Sequence, residues 1–254
     1  MIFSRFSTLR KNFAFFLAGL ATTIGIGLIT PTPVGAVPWT QLLFNGVQLL
    51  QLSNVSAKQK VELGREIDQQ VRSNYRISTN EKVTRIGQRV AAASDCAEYP
   101  FHFSVVQDKS INAFSTTGGY VYVHTGLLNA VDNEDQLAAV LGHEIGHICN
   151  NDLINKLRQA QLAQGAASLA GLDRSTVASA AYKLAVDLPN SRDAEYKADD
   201  KGLRYIERAG YNPNAMPAFL SKLVSQRSTP TFLSDHPGAK ERISILQRKI
   251  AAGQ

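Results

Sequence analysis

The hydrophobic pattern of this 254-residue chain changes period twice. From Trp39 to Gln70 apolar residues recur at helical spacing, first in "VPWTQLLFNGVQLLQL" and then in "SAKQKVELGREIDQQV", where Val61, Ile67 and Val71 stand among charges. Ser56 with Gln59 forms a capping box for the second of these segments. Val83, Ile86 and Val90 predict a further helix over Asn80–Ala93. The texture then becomes that of strands. "FHFSVVQD" (Phe101–Asp108) is one, and Gly119–His124 is another. In the second, Tyr120, Tyr122 and His124 face one way and Val121 and Val123 the other. The glycine pair before it suits a tight turn or a close backbone approach.

Beyond the second strand the chain returns to helical spacing. Asn133 is a good N-cap, and Glu134 and Asp135 suit the positive end of a helix. Asn155–Leu188 reads as a helix pair jointed at "AQGAASLAGL". Asn190 or Ser191 starts another helix, which Gly210 and Pro213 end. "SQRSTPTFLSDHPGAK" reads as a loop, and "KERISILQRKI" as a closing amphipathic helix. No internal repeat is visible. The expected fold class is α+β, mostly helical, with a small antiparallel or mixed sheet whose edge strand lies beside the helix that starts after Asn133.

The first 36 residues stand apart from that globule. Arg5, Arg10 and Lys11 precede an uncharged apolar run, Phe13–Thr30, and then "PTPVGAVP". This is the order of a secretory signal peptide cut after Ala36. The alternative is an N-terminal membrane anchor, since a stretch of that length just spans a bilayer. Either way the protein is expected to be exported, periplasmic or membrane-associated through this segment. Of the 27 basic and 21 acidic residues, three basic ones lie in the leader, leaving 24 against 21, a net charge of +3. With no run of like charges and no basic stripe with interleaved aromatics, nucleic acid is excluded as a partner. The two cysteines, Cys96 and Cys149, are either a disulfide, which an oxidising compartment permits, or two small buried side chains. Neither has the spacing of a zinc ligand.

The candidate chemistry is concentrated in "LGHEIGHICNND" (Leu141–Asp152). A helix advances about 100° per residue, so His143 and His147 project from the same side and can grip one metal ion. Glu144 sits one step around, placed to reach a water rather than to ligate. This is the H-E-x-x-H arrangement, in which two neutral imidazoles bind zinc and the glutamate takes a proton from a water. Leu137, Leu141, Ile145 and Ile148 form a core stripe on another side of the helix. Gly142 and Gly146 weaken a helix interior, so they imply that another element packs close. Two histidines do not complete a catalytic site. Downstream, "NSRDAEYKADD" carries Glu195 and Asp199 four apart on one helical face. Glu195 is the candidate third ligand and Asp199 a partner for the far nitrogen of a ligating histidine. On composition alone that pair is as readily a solvated helix face, and Asp200 next to it reads as surface.

These motifs together carry a resemblance. HEIGH followed by "SRDAEYKAD" is similar to the zinc metallopeptidases that include the CAAX prenyl proteases and the HtpX-type proteases. "KQKVELGREIDQQV", "NAFSTTGGYVYVHTGLL" and "SDHPGAKERI" resemble further blocks of that family in the same order, from about Ser56 to the C-terminus. The similarity is greatest to small exported members that act in envelope quality control. The expected division of the chain is a leader (or N-terminal anchor) over 1–36, an N-terminal helical segment over 37–75 and a zinc metallopeptidase catalytic domain over 76–254. The resemblance implies one Zn2+ per chain on His143, His147 and Glu195, with Glu144 as general base. His236 matches a histidine near the zinc or the transition state, and Arg242 the accompanying basic position. Gly119, Tyr120, Val121 and Tyr122 are then expected to form the sheet edge along which an extended polypeptide lies. The implied activity is cleavage of misfolded or misassembled envelope proteins. The alternative is a chaperone-like zinc protein whose site is closed, with His236 in the fourth position. His102 and His124 have no such support and read as ordinary strand residues.

Overall fold

The computed structural model describes residues 54–163 and 174–253. The expected leader, the helical pattern expected before Asn54 and the expected joint after Ala163 lie outside them. The first described helix, α1 (Ala57–Asn74), opens with the predicted capping box, in which Ser56 Oγ accepts from Gln59 N while the Gln59 side chain reaches back to Ser56 N. After β1 (Ile77–Ser78) comes α2 (Glu81–Ala92), capped by the Asn80 side chain. Strands β2 (His102–Val106), β3 (Ala113–Ser115) and β4 (Tyr120–His124) follow. A short α3 (Thr125–Ala130) leads to α4 (Glu134–Cys149), whose start is fixed by Asn133 Oδ1 accepting from Gln136 N. Helices α5 (Asp152–Ala163) and α6 (Arg174–Val186) occupy the Ala/Gln-rich segment. Ser191 caps α7 (Arg192–Arg208). The chain closes with α8 (Ala215–Val224), a five-residue α9 (Thr231–Asp235) and α10 (Ala239–Ala251). The predicted loop around Phe232 therefore holds a helical turn, and β1 and β3 are strands too short for an alternation to announce.

The four strands lie in the order β1-β2-β4-β3. β1 and β2 are antiparallel, β2 and β4 parallel, and β4 and β3 antiparallel. The sheet is thus mixed, within an α+β fold that is mostly helical. One expectation is corrected here. β4 is not the sheet edge, because Tyr120–His124 pair with His102–Val106 on one side and Val121–Val123 pair with Ala113–Ser115 on the other. Its backbone groups are used in two ladders, so the stretch Gly119, Tyr120, Val121 and Tyr122 has no face for a third strand. The edge beside α4 is β3. The "STTGG" turn, with Gly118 at φ 71° and Gly119 at φ 101°, throws the chain back into the sheet in a conformation that side chains rarely adopt.

Both faces of the sheet are covered, and side-chain alternation decides which residue serves which core. Phe103, Val105, Ala113, Val121 and Val123 join the core built with α2, α4, α7, α8 and α10. Val106, Phe114, Tyr120 and Tyr122 join a second core with Ile67 and Val71 of α1, Leu153, Ile154 and Leu157 of α5, and Ala178 and Ala181 of α6. Tyr122 is fully buried and donates its hydroxyl to Asp68. Helix α4 runs through the middle and is buried from Gln136 to Ile148. The expected stripe of Leu137, Leu141, Ile145 and Ile148 lies in the first core. No helix of the described residues is long and apolar enough to cross a membrane. Cys96, after α2, and Cys149, the last residue of α4, are joined as a disulfide.

The most extensive helix contact is between α4 and α7. A Cβ added at Gly146 would lie 2.6 Å from the Ala198 carbonyl oxygen, and one at Gly142 would lie 2.8 Å from Ile206 Cγ2. The two glycines flanking the histidines therefore let the α7 backbone approach α4. Replacing Gly146 with Val is expected to force the helices apart and to destabilise the fold by about 1–3 kcal/mol through overpacking. Thermal unfolding of the variant checks this. A midpoint equal to that of the wild type would show that the contact is looser than the backbone distances imply.

Candidate active site

Four donors converge where α4, α7 and the end of α9 meet. His143 and His147 come from α4, Glu195 from the first turn of α7, and His236 from the residue that ends α9. One ligand atom of each lies within 4.8 Å of all the others, and all four residues are buried. The position of His236 follows from Phe232. That ring is fully buried and stacks on the His236 imidazole at 4.4 Å, while the Phe232 backbone N–H donates to Ile111 O. His236 N–H closes the turn onto Phe232 O.

Hydrogen bonds on the outer nitrogens orient the imidazoles. His147 Nδ1 lies 2.7 Å from Asp152 Oδ2, and His143 Nδ1 lies 2.9 Å from Asp199 Oδ1. With Nδ1–H donated to a carboxylate in each case, both Nε2 atoms present lone pairs inward. The two Nε2 atoms are 3.1 Å apart. His143 Nε2 is 3.2 Å from Glu195 Oε2 and His147 Nε2 is 3.2 Å from Glu195 Oε1. His236 Nδ1 is 3.2 Å from His143 Nε2 and 3.1 Å from Glu195 Oε1. Lone pairs crowded to this distance repel unless a cation lies between them. Tetrahedral zinc at about 2.0–2.1 Å from each donor sets donors about 3.3 Å apart, so the spacing and the donor types fit that ion.

Charge leads to the same fit. Glu144, Asp152, Glu195 and Asp199 are buried carboxylates, and Arg242 is the one buried guanidinium among them. Burial alone would raise the Glu195 carboxyl, yet His236, Arg242 and the two α4 histidines hold it well below its usual range. Burial would likewise raise Asp199, but Arg242 and the His143 hydrogen bond hold it down. Burial opposes protonation of His147, while the Glu195 charge and the Asp152 hydrogen bond outweigh it and lift the imidazole to about 10. His143 is raised too, with burial and Arg242 opposing and Glu195 and Asp199 prevailing. The cluster is thus set to attract positive charge.

Glu144 differs from every other acid of the group. It is fully buried, and neither carboxylate oxygen has a hydrogen-bond partner. His236 Nε2 comes to 3.4 Å of Oε1 without bonding to it and instead lies 3.3 Å from Ala113 O. A buried carboxylate left this way is costly, and Glu144 lines a cavity together with Ser115, Thr116, His147, Asn190 and His236. Arg242, expected among the catalytic groups, has no such outlook. It is fully buried, grips Asp199 through Nε and Nη2 at 2.7 Å each, and reaches Glu195 Oε2 at 2.5 Å and His236 O at 3.2 Å. It holds the ligands from behind and does not line the cavity.

Asp152 escaped the sequence reading. Its signal was its place five residues after His147, beyond Asn151, whose positive φ of 57° turns the chain back toward the histidine. Asn190, read there as a helix start, also points its amide at the centre, with Nδ2 3.2 Å from His147 Nε2. His124 is buried against Ser110 and Phe114, away from the cluster, and His102 stacks on Tyr120. Asp200 is half-buried and paired with Arg204 and Lys249. Replacing Asp152 with Ala is expected to weaken zinc binding by about 10–100-fold by freeing the His147 ring. Chelator competition measures it, and an unchanged zinc affinity would show that Asp152 does not orient the ligand.

Comparison with known proteins gives a consistent result. The model of peptidase family M48 matches residues 78–250. The beta-barrel assembly-enhancing protease of Yersinia pestis is 29% identical over 91% of this chain and 53% of its own length. The protein of the same name from Escherichia coli (strain K12) is 29% identical over 78% of this chain and 45% of its own. The mitochondrial metalloendopeptidase OMA1 of Schizosaccharomyces pombe is 28% identical over 68% of this chain and 53% of its own. The chain thus spans about half the length of these curated relatives. With the matched region running from β1 into α10 and taking in all four converging donors, this chain belongs to peptidase family M48, a family of zinc metallopeptidases.

Proposed function

We propose that the protein is a zinc metalloendopeptidase that hydrolyses peptide bonds in misfolded or misassembled proteins of the cell envelope. The observation that carries this reading is Glu144, a buried carboxylate whose oxygens accept no hydrogen bond, lining the cavity beside the four-donor cluster. Zinc, when bound, supplies Lewis acidity, bringing the pKa of a water to about 7 and polarising a carbonyl. Glu144 then takes the water proton and delivers it to the leaving amine. His143, His147 and Glu195 hold the ion, Asp152 and Asp199 fix the two imidazoles, and Arg242 ties Asp199 to Glu195. The leader and relatives named for enhancing β-barrel assembly support an envelope location and polypeptide substrates from that compartment.

The ladder pattern supports a place for an extended substrate on β3. Asn112 O and Thr116 N bond across to His124 N and Tyr120 O. In an antiparallel pair bonded positions alternate, so the N–H and C=O of Ala113 and Ser115 turn to the open side. Ala113 N–H is taken by the Asn112 side chain, and its carbonyl faces His236 Nε2. Ser115, which lines the cavity, is the position left to pair with a substrate backbone. Pairing of this kind reads an extended shape more than a sequence, which suits unfolded chains.

One observation favours the alternative of a closed, chaperone-like zinc protein. His236 Nδ1 stands within 3.2 Å of His143 Nε2, where a fourth protein ligand excludes water. Digestion of unfolded β-barrel protein by the zinc-loaded chain separates the readings. The expected outcome is cleavage by the wild type, lost by at least about 100-fold in Glu144→Gln with zinc content unchanged. Retained cleavage in that variant would remove Glu144 from the mechanism. Replacing His236 with Ala opens the fourth position, and absence of cleavage from both this variant and the wild type at full zinc occupancy would establish the closed protein instead.

A further inference from the structure

The connection between α6 and α7 carries a side chain that this chemistry has not used. Asn190 immediately precedes the N-cap of α7, and its backbone is held from two sides. Its N–H donates to Asp235 O at 2.9 Å, beside His236. The turn leading to it is clamped by Lys156, whose ammonium donates to Leu188 O at 2.8 Å and Leu184 O at 3.2 Å. The Asn190 side chain is thereby presented to the cavity that also receives Glu144 and Ser115.

The contact that Nδ2 makes there is informative. It lies 3.2 Å from His147 Nε2, the nitrogen whose lone pair faces the metal position. An imidazole nitrogen has one in-plane lone pair, and a metal uses it. A donor at hydrogen-bond distance from a ligand atom, on the cavity side, then has its N–H available for an oxygen brought to the same centre. In peptide hydrolysis that oxygen belongs to the scissile carbonyl. As the water oxygen bonds to the carbonyl carbon, the π pair moves onto the carbonyl oxygen and the water proton passes to Glu144. Negative charge therefore grows on an oxygen close to the amide. A neutral amide suits this place, because it donates without adding a cation that would compete with zinc for the carboxylates.

We propose that Asn190 is a further catalytic residue of this site, its Nδ2–H donating to the scissile carbonyl oxygen as charge develops there. The proposal rests on the peptidase reading above. Asn190 transfers no proton and ligates nothing; its contribution is a fixed dipole that strengthens as the oxygen becomes an oxyanion.

The test uses the zinc-loaded chain with Asn190→Ala and Asn190→Leu, read by kinetics on an unfolded polypeptide and by calorimetric binding of a phosphinic peptide, whose tetrahedral oxygens resemble the charged state. Losing one such donor is expected to lower kcat by about 100- to 1000-fold with little change in KM. Phosphinic-peptide affinity is expected to fall by at least about 10-fold in both variants, with zinc stoichiometry and melting temperature as in the wild type. Equal affinity for the phosphinic peptide in variant and wild type overturns the proposal while leaving the peptidase reading intact. Loss of zinc or of melting temperature in both variants makes Asn190 a structural support and also overturns it. A wild type that neither cleaves nor binds the phosphinic peptide overturns the peptidase reading, and this assignment with it.

Discussion

The site depends on the contact of two helix backbones. Gly142 and Gly146 on α4 face Gly202 and Ala198 on α7 so closely that a Cβ at either α4 glycine would meet α7 atoms below 3.0 Å. A side chain at either glycine would push the two helices apart. Because α7 lies against α4, Glu195 in its first turn falls level with His143 and His147, and Asp199 one turn later falls behind His143. The helix propensity that the glycines forfeit is offset by the core that the same contact closes.

The second constraint is electrostatic. Four carboxylates and a guanidinium removed from water carry a large desolvation cost, which only dense pairing offsets. Arg242 meets it by bidentate contact with Asp199 and a third bond to Glu195. His143 and His147 each set Nδ1 against a carboxylate, which fixes the tautomer and raises the basicity of the inward nitrogen toward a metal. Of the four carboxylates, Glu144 alone accepts no hydrogen bond. Within a network whose other carboxylates are hydrogen-bonded, this one is left to line the cavity, where chemistry is supported.

The third element is the coupling of the site to the sheet edge. His236 touches the donor cluster through Nδ1 and the β3 carbonyl of Ala113 through Nε2. The loop that carries it is sewn down by Phe232 N–H to Ile111 O, by Asn112 Nδ2 to Asp235 Oδ2, and by Asn190 N–H to Asp235 O. The proposed substrate edge, the fourth donor and the entrance to α7 are thus mechanically one unit. Whatever displaces β3 also bears on the fourth position of the cluster.

The local features of this protein were legible in its residues. Caps at Ser56 and Asn133 start helices where their side chains predict, and Ser191 is the one of the two expected starts that caps α7, because a cap acts within three residues of itself. Alternation along Tyr120–His124 assigned Tyr and Val to opposite faces, and the helical step put His143 and His147 together with Glu144 aside. The close-approach role of Gly142 and Gly146 was also readable, since their cost had to be offset by something. What the sequence left undetermined was everything set by partners distant in the chain. Alternation cannot say which strand is the edge, and pairing on both sides of β4 moved that role to β3. Arg242 looked catalytic by its place in a motif, and only packing showed it behind the ligands. Asp152 and Asn190 act through a reversal at Asn151 and a turn clamped by Lys156, and the pairing of Cys96 with Cys149 spans 53 residues. Propensity and periodicity are properties of neighbours along the chain, whereas coordination, burial and edge position are properties of neighbours in space.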